Sequence, residues 1–156
     1  MKSLYTIFCF FLLLLFVGIA CADNQRDPLP EHGFRIKGEI RFIKIESPGE
    51  LFILLVNADT FKKPLHSYKK IIIPIGDKEI KAKRVQFEFE SIPAGNYGVR
   101  CYLDTNGNKK LDKGMIGPKE PWGMSWQRGK VRGWPKFEDI CFDLRKDLNN
   151  LVIKVK

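Results

Sequence analysis

The stretch Asp104-Thr105-Asn106-Gly107-Asn108-Lys109-Lys110-Leu111-Asp112 places side-chain oxygens at relative positions 1, 3, 5 and 9. Hard cations such as Ca2+ need several oxygens at about 2.4 Å, and this is the oxygen spacing of a calcium loop. One turn could aim Asp104, Asn106 and Asn108 inward, with the Lys110 carbonyl and Asp112 completing the cup. The pattern departs from a full EF-hand loop, because position 6 is Lys109 rather than glycine and position 12 is Met115 rather than glutamate. With only two carboxylates in the loop, calcium affinity would be weak, although Glu120 could add a bidentate ligand. A tight turn held by Asx hydrogen bonds uses the same residues, so both readings stand.

Beyond that loop lie Glu120, Trp122, Ser125, Trp126 and Trp134, in a segment rich in glycine and proline. Exposed, the three indoles would form a platform on which sugars or peptides stack. Folded back, they would form a lid over one end of the domain with at most one indole presented to solvent, the commoner arrangement for large aromatics in compact loops.

Residues for catalysis are sparse. Gly123-Met124-Ser125-Trp126-Gln127 is not a Gly-x-Ser-x-Gly elbow, and the chain has only two histidines, His32 and His66. No serine or cysteine nucleophile has a base in view, and no Cys/His grouping offers zinc ligands. The one enzymatic alternative is a hydrolase or accessory enzyme acting on envelope polysaccharide, pairing Glu120 with Asp104 or Asp112. That needs the two carboxylates about 5 to 9.5 Å apart across an open cleft.

The elements that must position these residues alternate with period 2. Phe34, Ile36, Ile40 and Phe42 alternate with Arg35, Lys37, Glu39 and Arg41, which predicts a strand with one buried and one solvated face. Ile43 and Ile45 fall out of phase, as at a bulge or where a strand passes to a second sheet. Leu51 to Val56 is continuously apolar and predicts a strand covered on both faces. Ile71 to Ile75 contains Pro74 and belongs at a sheet edge or a strand end. Val85, Phe87 and Phe89 alternate with polar residues, and the turn Ile92-Pro93-Ala94-Gly95-Asn96 predicts a hairpin into Tyr97 to Leu103, with Gly95 or Asn96 at positive φ. Ile140, Phe142 and Leu144, then Leu151, Ile153 and Val155, complete about seven strands. An all-β sandwich of two antiparallel sheets follows, Ig-like or prealbumin-like. The stretch from Asp104 to Pro135 is too long for an ordinary connection, and loops of that length are commonly functional.

The N-terminus reads as an export signal. Lys2 precedes an apolar run from Ile7 to Ala20 and the small-residue pattern Ala20-Cys21-Ala22, which predicts a signal peptide over residues 1–22 cleaved after Ala22. The run is shorter than the roughly 20 residues that span a bilayer, and no later segment predicts a transmembrane helix. Gly18-Ile19-Ala20-Cys21 also resembles a lipobox, so a lipid anchor through Cys21 is the alternative product. Residues 23–32, with Pro28 and Pro30, read as a flexible leader, and residues 33–156 as a single domain. Export to the periplasm or cell surface leaves Cys101 and Cys141 in an oxidising compartment. Alternation argues against a bridge, since Cys101 shares a face with Val99 and Leu103 but Cys141 with Asp139 and Asp143; a bulge could re-aim either, so both states stay open.

The chain carries a net charge of +9, of which the signal holds one at Lys2. A mature charge of +8 suggests affinity for anionic partners such as an envelope glycan or an anionic lipid, with a protein partner as a further option. The lysines are dispersed, as on a solvated basic surface, and an exported chain does not meet nucleic acid.

Together, Phe87-Glu88-Phe89-Glu90-Ser91-Ile92-Pro93-Ala94-Gly95-Asn96-Tyr97, the loop from Asp104 to Asp112, Gly117-Pro118-Lys119-Glu120 and Gly123-Met124-Ser125 resemble a family of exported bacterial proteins known as domain of unknown function 2141. Its pattern is a phenylalanine strand, a Pro-x-Gly-x-Tyr turn, an aspartate-asparagine loop ending in Lys-Leu-Asp, then Gly-x-Pro-x-Glu and Gly-x-Ser. In this chain Pro118 follows Gly117 directly, and Leu103 stands where the family often has histidine. The resemblance implies an exported β-sandwich and no particular activity. With no base or nucleophile in view, the expected function is a non-catalytic binding or structural module of the cell envelope, whose loop from Asp104 to Asp112 either binds calcium weakly or is a turn held by its own Asx bonds.

Overall fold

Alternating and continuous apolar runs become strands at nearly the expected places in the computed structural model, which describes residues 33–63, 66–115, 117–126 and 135–156. The expected signal, with Cys21, the leader and Trp134 lie outside the described residues. Among the described residues the elements are β1 (Phe34–Phe42), β2 (Gly49–Val56), α1 (Ala58–Phe61), β3 (Lys69–Ile75), α2 (Asp77–Ala82), β4 (Arg84–Ile92), β5 (Gly95–Asp104), β6 (Trp122–Met124), α3 (Phe137–Ile140), β7 (Phe142–Leu144) and β8 (Leu148–Val155). No helix among them is long and apolar enough to cross a membrane.

The fold is all-β and sandwich-like. One sheet has the order β4-β1-β8; the other has the order β3-β2-β5-β6, with β7 also pairing with β5. The inward residues of both fill one core, including Ile36 and Ile40 of β1, Leu51, Ile53 and Leu55 of β2, Val99 and Leu103 of β5 and Ile153 of β8. As the proline in its sequence requires, β3 is an edge strand, with Pro74 opposite Glu50.

Several details differ from the sequence expectations. The described residues form eight strands rather than about seven, because Trp122–Met124 adds one inside the long segment. Ile140 ends a helical turn instead of beginning a strand. The hairpin at Pro93 does not form: β4 pairs with β1 and β5 with β2, so the turn is an arch between sheets. Neither Gly95 nor Asn96 has a positive φ; the nearest residue that does, Ser91 at 55°, lies within β4 where its register against β1 shifts. Turn chemistry fixes a reversal of the chain, whereas the demand for two opposed apolar faces decides which sheet the next strand joins.

The sheets are not purely antiparallel either, since β8 runs parallel to β1. Alternation tells which residues face the core but is blind to strand direction. The crossing into β8 is pinned at Asp147, whose carboxylate accepts from the backbone N–H of Arg35 at 2.9 Å and from its guanidinium at 3.0 and 2.8 Å. Those bonds, the backbone one foremost, hold the Asp147 carboxyl below its ordinary range. The phase slip after β1 is not a bulge. The strand stops at Phe42, Ile43 is exposed, Ile45 turns into the core, and the chain crosses to β2 in the other sheet.

The two cysteines among the described residues are free, Cys101 in the core and Cys141 at the C-terminal end of α3. Burial pushes the Cys101 thiol up to about 12, so it stays protonated.

The sheets join at one edge, where Trp122 and Lys156 exchange backbone hydrogen bonds of 3.1 Å in both directions. Gly123 makes this seam feasible, because a Cβ there would lie 2.5 Å from the Lys154 carbonyl oxygen and 3.0 Å from Ile153 Cγ2. Gly123→Ala should therefore lower stability by about 2 kcal/mol through overpacking against backbone. Denaturant unfolding checks this, and wild-type stability would mean that the seam is not tight.

Candidate functional site

The site is built from the outer face of the β2-β5-β6 sheet. In β2 the residues between the core positions, Phe52, Leu54 and Val56, are also buried, and with Tyr102 of β5 and Ile140 of α3 they form a second apolar cluster. Phe61, Leu111, Trp122, Met124 and Phe137 pack on it while partly exposed. The continuously apolar run at Leu51 to Val56 is thus explained by cover on both faces. Phe52 and Tyr102 stack with ring centroids 4.9 Å apart.

Local sequence places each part of this cover. Asn57 caps α1, its side-chain oxygen accepting from Thr60 N at 3.0 Å while Thr60 Oγ1 accepts from Asn57 N, and this reciprocal box starts the turn that carries Phe61. Ser125 holds the other side, its hydroxyl donating to the Ile140 carbonyl at 2.8 Å and accepting from Val99 N at 2.8 Å. Only 1% exposed, Ser125 fastens α3 to β5 and presents no surface to a ligand.

The loop from Asp104 to Asp112 closes one end of this cover. Asp104, 1% exposed, accepts through Oδ1 from Asn106 N at 3.2 Å and Gly107 N at 2.8 Å, and through Oδ2 from Lys109 N at 2.7 Å. Asn106 Oδ1 accepts from Asn108 N at 3.0 Å and Asn108 Oδ1 from Lys110 N at 2.9 Å. These are successive Asx turns. The amide nitrogens of Asn106 and Asn108 both donate to Asp112 Oδ2, at 2.7 and 3.0 Å. Glu120, 6% exposed, clasps the loop at both ends, accepting from Thr105 N and Asp112 N at 3.1 Å each.

Asp104, Asn106, Asn108, Asp112 and Glu120 are therefore brought together, with the loop oxygens and the Glu120 carboxylate engaged with N–H groups of the loop itself. Among the described residues no group of three or more His, Cys, Asp or Glu side chains is arranged to hold a metal ion. The donors still suit calcium in kind, since an amide or carboxylate oxygen with one hydrogen bond keeps a second lone pair. A cation would require the Asn106 and Asn108 NH2 groups to turn away from Asp112. Tyr102 ties the loop to the sheet by donating to the Lys109 carbonyl at 3.1 Å. Burial, and then the neighbouring Asp104 and Glu120 charges, push its hydroxyl up to about 12, which keeps that donor in place.

Among the described residues the cover leaves a cavity of about 430 Å3, lined by Leu54, Tyr102, Trp122 and Met124 from the strands and by Lys110, Leu111 and Pro118 from the long segment. That volume is within the ordinary range for small-ligand sites. Trp122 lines it half-buried; Trp126 is 39% exposed and meets Trp122 edge-on at 6.2 Å, so the two indoles do not make a flat platform. Of the residues singled out in the sequence, Lys110 and Trp122 border the cavity, whereas Asp104, Glu120 and Ser125 are buried in internal bonds. Leu54, Tyr102 and Met124 escaped sequence reading. The signal that could have found them is the double-faced apolar run of β2, which demands a second cover.

Glu120→Gln should destabilise the domain by about 1–2 kcal/mol, because one of two backbone N–H donors would then face an NH2 group. Amide hydrogen exchange should quicken at Thr105 or Asp112, and unchanged protection at both would contradict the clasp.

No curated protein and no solved structure matches the chain. A family described as an uncharacterized protein conserved in bacteria (DUF2141) matches residues 44–151, a span that begins just after β1, ends within β8, and includes the loop and the whole β3-β2-β5-β6 sheet with β7. With well over half its length in that match, the chain belongs to this family.

Proposed function

We propose that the chain is an exported, non-catalytic binding module of the cell envelope, and that its ligand occupies the cavity on the outer face of the β2-β5-β6 sheet. The observation that carries this reading is the cavity itself, about 430 Å3 with an apolar floor. Binding sites of this kind combine an apolar body with a few placed polar groups. The hydrolase alternative is weaker, because Glu120 and Asp104 are buried with their oxygens accepting from backbone N–H groups, and although Glu120 lines a separate recess of about 330 Å3, neither Asp104 nor Asp112 lines it beside Glu120. Export is supported by Lys2, the apolar run to Ala20 and the Ala20-Cys21-Ala22 pattern, with anchoring through Cys21 as the alternative product.

The neutral dye Nile red tests the groove. Fluorescence should rise and saturate with the wild-type mature chain, and Met124→Trp, which fills the floor, should weaken binding about tenfold, or about 1.4 kcal/mol, while melting near the wild-type temperature. Equal binding by a folded Met124→Trp would overturn the reading.

A second reading, that the loop takes a calcium ion, is favoured by one further observation. Lys109, at the position where a calcium loop places glycine for its sharp turn, lies at φ 59°. Asp104, Asn106, Asn108, the Lys110 carbonyl and Asp112 would supply the oxygens, and two loop carboxylates imply weak affinity. Calorimetry of the mature chain with millimolar calcium should give heat and a raised melting temperature, both lost in Asp112→Ala. Absence of heat and of any thermal shift in the wild type would remove the metal from the account.

A further inference from the structure

We infer that the groove takes a monomeric single-chain amphiphile with an anionic head, the hydrocarbon tail lying on Leu54 and Met124 and the head meeting Lys62 and Lys110 at the rim. This rests on the groove reading above and names its ligand class. Charge carries the argument. Lys62, Arg100, Lys110 and Lys113 line the cavity, and no aspartate or glutamate does among the described residues. Four cations around an apolar recess, with no carboxylate among them, favour an anion by Coulomb attraction that the low-dielectric floor strengthens. Burial lowers the Arg100 pKa from its ordinary value, and an anion nearby would offset that desolvation.

The lining also separates an acyl chain from a sugar. Sugar hydroxyls require acceptors as well as donors, yet among the described residues no Asp, Glu, Asn or Gln side chain lines the cavity, and the Tyr102 hydroxyl is already spent on the Lys109 carbonyl. Leu54 and Met124 offer flexible aliphatic surface, and Trp122 a half-buried edge, which a hydrocarbon tail satisfies without hydrogen bonds. A recess between α1 and the loop, rather than a protruding apolar patch, suits one chain withdrawn from water more than a bilayer surface.

The test compares decanoate, decyl maltoside and decyltrimethylammonium, each below its micelle concentration, by titration of the isotope-labelled mature chain. Decanoate should shift Leu54 and Met124 methyl signals and bind about tenfold tighter than decyl maltoside, with decyltrimethylammonium weakest. That advantage should vanish in the Lys62→Glu/Lys110→Glu double variant and fade at high salt. Equal affinity for decyl maltoside would overturn the anionic class while leaving the Nile red result standing. Failure of all three to shift Leu54 and Met124 would overturn the inference, as would binding to phosphatidylglycerol vesicles with no response to monomeric decanoate. Contacts between Trp134 and the Leu54 or Met124 methyls in the ligand-free protein would overturn it too, by assigning the groove to residues 127–134 of the chain itself.

Discussion

Strand β2 is apolar on both faces, and the organisation of the domain follows from that. Leu51, Ile53 and Leu55 face the sandwich core while Phe52, Leu54 and Val56 face away from it, and all six are buried. Burying one such side chain is worth about 1.5–3 kcal/mol, so leaving the outer three in water would forgo a large share of a domain's marginal stability of about 5–15 kcal/mol. A two-layer sandwich covers only one of these faces. The second has to be covered by the connections, and the short helices α1 and α3 together with the segment after Asp104 supply that cover.

Connections make a poor cover unless they are held in shape, because a buried loop brings backbone N–H groups that need partners. The residues between Asp104 and Glu120 solve this with their own side chains. Asp104 gathers three N–H groups, Asn106 and Asn108 one each, and Glu120 one from either end. Tyr102 and Ser125 then fasten this assembly and α3 to the sheet. The groove lies beside these fastened parts, which is why its walls are defined even though they come from irregular chain.

Much of this is legible in the sequence. Alternation places β1, β4, β5 and β8, Pro74 marks an edge strand, and the continuous run at Leu51 to Val56 announces cover on both faces. What escapes has a physical reason in each case. The arch at Pro93 reads as a hairpin because turn residues report a reversal and not the sheet that follows, and the parallel pairing of β8 is hidden because alternation carries no direction. For the site, the residue types between Asp104 and Asp112 reveal the Asx network, but whether Glu120 faces a cleft or clasps a loop depends on packing of distant segments. The cavity is least legible of all, since Leu54, Tyr102, Met124 and Pro118 meet only after the fold is complete.

Among the described residues, the outer face of the β2-β5-β6 sheet is a second core with an open recess beside Met124. Paramagnetic relaxation by a soluble, uncharged gadolinium chelate tests it directly on the methyl signals of the ligand-free protein. The account predicts strong attenuation at Met124 and little at Ile53, Leu55 and Val56. Equal protection of Met124 and the sandwich-core methyls would contradict it.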